Sequence, residues 1–136
     1  MSAQSPYGIA VLLNTPFDAA VEAARAALAA EGFGILMEAD LKATFHKKLG
    51  VDHTPYVILG ACSPRDAFEA LALEPDLGLL LPCNVIVRDA GDGRTQVSAI
   101  DPVVQLGLTG NTALAPAAAT IRERLARAIA ALGAGK

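Results

Sequence analysis

At 136 residues, 53% of them hydrophobic, the chain has material for one ordinary domain spanning residues 1–136, able to bury about two-thirds of its unfolded surface. Eleven basic against 14 acidic residues leave a net charge of −3, with no basic cluster larger than His46-Lys47-Lys48 and the scattered Arg122, Arg124 and Arg127, which argues against a nucleic-acid partner. No apolar run approaches the roughly 20 residues that cross a bilayer, and Met1 to Pro6 carries no basic leader, so the reading is a cytoplasmic protein without a membrane partner.

Tyr7 to Leu13 alternates, Tyr7, Ile9, Val11 and Leu13 against the smaller Gly8 and Ala10, and predicts a first strand. Thr15-Pro16-Phe17-Asp18 predicts a helix start, with Thr15 as cap, Pro16 in the first position and an acid near the positive helix end. Phe17, Val21, Ala24 and Leu28 carry that helix to Gly32. Phe33 to Glu38 predicts a second strand, and Asp40 caps a short helix whose Leu41, Phe45 and Leu49 share a face before Gly50.

Tyr56 to Leu59 predicts a third strand, and Ser63-Pro64-Arg65-Asp66 repeats the helix-start signal, with Phe68 and Leu71 on the apolar side and Glu74-Pro75 as the stop. Leu79 to Val87 reads as a strand buried on both faces, joined to Thr95 to Ile100 by the long glycine-rich turn Asp89 to Gly93. Val103 to Ala119 is ambiguous, because Gly107, Gly110 and Asn111 interrupt it while Pro116 can open a last helix. From Ile121 on, Leu125, Ile129 and Leu132 form a clear stripe, with Arg122, Glu123 and Arg127 outside it. A hairpin among unevenly alternating strands and helices favours α+β.

Lys48-Leu49-Gly50-Val51, then Tyr56 through Pro64, then Gly78 through Val85 closely resemble domain-of-unknown-function family 302, and the likeness extends from Tyr7 to the final helix. The resemblance implies a TATA-binding-protein-like fold, β-α-β4-α with short inserted helices, in which a curved, mainly antiparallel sheet carries two long helices on one face. It also implies a homodimer. Where the family has asparagine after the first cysteine this chain has Ser63, which preserves a helix cap. Likeness to a DNA-binding architecture implies no DNA binding, since function resides in the site and not in the fold.

Two cysteines are too few for a disulfide framework and are expected as thiols. Cys62 ends a strand just before Ser63 and Pro64, where the partial positive charge of a helix start favours a nucleophilic thiolate; the alternative is a small apolar residue in a crowded junction. Cys83 lies in an apolar run as an inert core thiol, unless the adjacent Pro82 marks an edge or bulge that re-aims it. Both are candidate catalytic residues, with Cys62 attacking or carrying sulfur and Cys83 assisting. Lys48 and Ser63 are candidate ligand-binding residues, each with helix capping as the plainer role.

His46, His53 and the cysteines lack the close ligand pairs of a zinc module, so no metal is expected, and Asp101 before Pro102 reads as a turn residue. No Walker loop, dinucleotide-binding Gly-x-Gly-x-x-Gly, His-Glu-x-x-His, nucleophile elbow or Cys-x-x-Cys occurs, so no cofactor is expected either. Three readings stay open. The first is a homodimer binding a small ligand in an apolar groove between the sheet and the long helices; the second is a thiol-dependent enzyme or carrier using Cys62 and Cys83; the third is an interaction module.

Overall fold

The computed structural model describes residues 5–134. In chain order it contains β1 (Gly8–Leu13), α1 (Phe17–Ala30), β2 (Gly34–Asp40), α2 (Leu41–Leu49), β3 (Tyr56–Cys62), α3 (Pro64–Leu73), a 3-10 turn (Pro75–Leu80), β4 (Cys83–Gly91), β5 (Arg94–Ile100), α4 (Pro102–Gly107), a second 3-10 turn (Thr112–Leu114) and α5 (Ala115–Ala134). The strands form one sheet in the order β1-β5-β4-β3-β2, every neighbouring pair antiparallel. This is the expected α+β arrangement of an antiparallel sheet with two long helices packed against one face.

Strand alternation sorts the residues. Leu13, Leu59, Ala61, Val85, Val87, Val97 and Ala99 turn toward the helices and are buried. Alanines let α1 and α5 approach closely, Ala20 and Ala24 from one and Ala128 from the other, while Leu28, Leu125 and Ile129 fill the space between. A smaller cluster of Ala70, Leu77, Leu106, Leu114 and Ala118 joins α3, the first 3-10 turn, α4 and the start of α5. Thr95, buried on β5, donates from Oγ1 to the Thr15 carbonyl at 2.7 Å and ties the loop before α1 to the sheet.

Several boundaries differ from expectation. Helix α1 opens at Phe17 with Pro16 as its cap, and Thr15 stands outside it. The run from Leu79 is divided: Leu79 and Leu80 belong to the 3-10 turn, a cis Leu81–Pro82 bond follows, and β4 starts at Cys83. Pro82 thus precedes the strand and takes no place in its ladder, where its missing N–H would be felt. Strand β4 is buried on one face alone, with Val85 and Val87 inward and Asn84 and Ile86 outward. Its hairpin is tight, because Asp92 (φ 58°) and Gly93 (φ 73°) both take the left-handed conformation that a two-residue turn demands. In the ambiguous stretch, Asp101 caps α4 by accepting from the Val103 amide at 2.9 Å, and its other oxygen accepts from Arg122 at 3.0 Å.

Among the described residues no helix is long and apolar enough to cross a membrane.

Candidate functional site

Pairing of β3 with β4 sets Ala61 opposite Cys83, so Cys62 and Cys83 are near neighbours at one end of the sheet. Both line a cavity of about 30 Å³ closed by Phe33, Asp66, Leu77 and Ile121. A space of that size holds a water or two and not an organic ligand. Where β1 meets the two long helices, a separate apolar concavity of about 360 Å³ is lined by Leu13, Ala23, Ala27, Ala131 and Leu132.

Both thiols titrate above their ordinary value. Burial pushes Cys62 up, and the negative charge of Asp66 pushes it further, opposite to the lowering expected at a helix start. Cys83 is buried, and burial followed by the charge of Cys62 pushes its thiol up to about 11, although the positive charge of Arg124 works the other way; its Sγ donates to Gln105 Oε1 at 3.3 Å. Neither position favours a thiolate at neutral pH. One consequence is measurable: the unfolded thiol ionises near 9.0 and the folded one near 11, so the contribution of Cys83 is intact below pH 9 and is lost as pH rises through 11. The loss amounts to about 3 kcal/mol. Urea melts from pH 8 to 11 should show a steeper alkaline loss for the native chain than for Cys83→Ala, and parallel curves would refute the assignment.

The polar neighbours of this cavity were not legible as a group. Ser63 occupies the cap position of α3, yet its hydroxyl donates to Asp66 Oδ2 at 2.7 Å and caps no backbone amide. From α5, Arg124 reaches the same carboxylate at 2.6 Å, donates to the Ser63 hydroxyl at 3.4 Å, and lies 4.8 Å over the ring of Phe33. From α4, the buried Gln105 donates to the carbonyls of Leu80 and Pro82 while accepting from Cys83. These contacts lock α3, α4 and α5 onto the sheet end. Lys48, exposed in the last turn of α2, lines neither this cavity nor any other described concavity, whereas Ser63 does line this one.

His46 and His53 share a surface concavity of about 350 Å³ with Asp40 and Asp52. His53 is engaged edge-on with Phe45 at 5.2 Å, and its Nδ1 lies 2.7 Å from the Thr54 carbonyl. Among the described residues no three His, Cys, Asp or Glu side chains are grouped to hold a metal.

A further opening lies on the face of the sheet opposite α1 and α5. There a concavity of about 360 Å³ is lined by Tyr7, Tyr56, Asn84, Ile86, Arg88 and Ser98, with Ala10 and Gln96 in its floor. Strand register explains the grouping: Tyr56, Arg88, Gln96 and Leu12 form one cross-strand row, and Ile58, Ile86, Ser98 and Ala10 form the next. Arg88 donates to Gln96 Oε1 at 3.1 Å, and Gln96 in turn donates to Ser98 Oγ at 3.1 Å. The period-two alternation of polar residues along β4 and β5 is the signal that pointed here. It was obscured by reading β4 as buried on both faces.

Residues 9–132 match the family described as Domain of unknown function DUF302. An uncharacterized conserved DUF302 protein from Bacillus stearothermophilus, known from its crystal structure, is similar to this chain at 30% identity with a TM-score of 0.83, over 92% of this chain and 97% of that one. No curated protein matches.

Proposed function

We propose that this chain, which belongs to the DUF302 family, binds a small organic molecule on the face of its sheet away from the long helices and works as a homodimer. One observation carries the binding reading: the sheet face opposite α1 and α5 holds an opening of about 360 Å³, within the range of roughly 300–1,000 Å³ usual for small-molecule sites, in which the walls of Tyr7, Tyr56 and Ile86 meet the hydrogen-bonded row Arg88, Gln96 and Ser98. The thiol alternative is weaker on this geometry, because both sulfurs are pushed toward the protonated form beside a cavity too small for a substrate.

Support for a second copy comes from a different part of the surface. Strand β2 is a sheet edge on which Leu36 and Met37 are 61% and 57% exposed, and α2 buries no residue at all. Such an edge invites a covering element. Helix α2 carries Lys42, Lys47 and Lys48 and no acid, whereas α3 and the turn after it carry Glu69, Glu74 and Asp76 against one exposed base, Arg65, beside Phe68 and Leu79, 80% and 87% exposed. A two-fold axis that lays α2 of each protomer on α3 of its partner matches charge to charge and covers apolar groups on both sides.

The test uses N-phenyl-1-naphthylamine, an uncharged aromatic probe, followed by fluorescence and by amide chemical shifts. The expected result is saturable binding with shifts confined to β3, β4 and β5, abolished by Ile86→Asp, in a protein that sediments as a dimer weakened by added salt. Absence of binding, combined with a Cys62 that alkylates faster than free cysteine, would overturn the binding reading in favour of thiol chemistry.

A further inference from the structure

The sheet face opposite α1 and α5 contains one unbalanced charge. Seven arginines occur in the chain, and those that are partly buried differ in what they hold. Arg25 pairs with Glu38 and Glu22, and Arg124 pairs with Asp66. Arg88 is half-buried in the wall of the open concavity, and the partner it is given there is the neutral amide oxygen of Gln96. None of the ion pairs among the described residues includes it. The nearest acid in sequence, Asp89, stands on the opposite side of the strand and accepts from the Gly91 amide at 3.0 Å.

A guanidinium withdrawn from water without a counter-ion is costly, and an anion that supplies one recovers that cost. Gln96 occupies one edge of the planar group, leaving further N–H donors of its five available in the fork geometry that suits a carboxylate, sulfonate or phosphate oxygen pair. Gln96 and Ser98 hold the guanidinium in place through their own hydrogen bonds, so its direction is fixed before a ligand arrives. The rest of the opening is suited to a different chemistry: Ala10, Ile86 and Ile100 offer methyl and methylene surface, flanked by the rings of Tyr7 and Tyr56. No carboxylate lines this concavity to repel an anion.

We infer that the ligand of this face is a small organic anion, with its acidic group on Arg88 and an apolar body lying across β4 and β5. This rests on the reading that this face binds small molecules, and it adds the charge of the molecule and the residue that selects it.

The experiment compares two fluorescent probes of nearly the same shape, 8-anilinonaphthalene-1-sulfonate and N-phenyl-1-naphthylamine, which differ by one sulfonate. The expected result is at least about tenfold tighter binding of the sulfonate, an advantage that shrinks as salt is raised. Arg88→Gln should remove that advantage while leaving the uncharged probe within about twofold, Arg88→Lys should retain part of it, and Ser98→Asp should reverse it by placing a like charge beside the anion. Amide shifts must again fall on β3, β4 and β5. If both probes bind this face equally, or if Arg88→Gln leaves the ratio unchanged, the anion inference is overturned while the binding reading stands. If neither binds, or if the shifts fall on α3 beside Phe68, both are overturned.

Discussion

Leu125→Ala is expected to lower the free energy of unfolding by about 2–5 kcal/mol. Leu125 is fully buried on the inner face of α5, in the cluster that joins α1, α5 and the sheet. Truncation removes apolar contact and leaves a cavity that cannot easily collapse, because the surrounding residues stand on a five-stranded sheet and on two helices already in close contact. Urea melts at neutral pH measure this through the midpoint, with the slope unchanged. The exposed Arg122, three residues earlier on the same helix, serves as the control: its pairing with Asp101 lies at the surface, and Arg122→Ala should cost no more than about 1 kcal/mol. A Leu125→Ala protein as stable as that control would contradict the packing described for α5.

The second large effect is expected at Arg124. Arg124→Leu removes a 2.6 Å charge-assisted bond to Asp66, a weaker one to Ser63 and the stacking over Phe33, and it leaves Asp66 beside Cys62 without its counter-ion. The two side chains of the pair keep about a fifth of their surface in water, so the loss falls below that of a fully buried pair, at about 1–3 kcal/mol. Asp66→Asn in the same protein should recover part of it, since the stranded charge is then gone, and the non-additivity of the double variant measures the coupling. Asp66→Asn alone should also speed alkylation of Cys62, because it removes the second of the two causes that hold that thiol protonated. Strict additivity together with unchanged alkylation would mean that the cluster is not electrostatically connected.

The architecture was legible wherever periodicity and punctuation agreed. Ile121, Leu125 and Ile129 announced α5, Tyr7 to Leu13 announced β1, and Asp40 was visible as the cap that accepts from the Ala43 amide. Boundaries failed where a local rule met a tertiary one. Leu79 has strand character in isolation, but Leu77 beside it is claimed by the small cluster under α3, and the chain turns there instead of extending.

The candidate sites were less legible. Cys62 and Cys83 were found because cysteine is conspicuous, and their proximity follows from a register that one strand cannot reveal. Arg124 went unnoticed as a partner of Asp66 because the two are 58 residues apart, and a charge beside an apolar stripe reads as solvent-facing. Arg88 was hidden for the converse reason: its lack of a carboxylate is a property of the assembled face, and no stretch of sequence displays it.

The order of strands has a consequence for how the chain comes off the ribosome. Strand β1 pairs with β5 and nothing else in the sheet, Leu13 opposite Thr95 and Gly8 opposite Ile100. The first strand made must therefore wait, with Ile9, Val11 and Leu13 unsheltered, until the fifth has emerged, while β3, β4 and β5 can zip together as neighbours. Closing that long loop is the slow, entropically costly step. Nascent chains arrested before Thr95 should stay accessible to protease at β1 and bind a holdase chaperone there, and both signals should disappear together once β5 clears the exit tunnel.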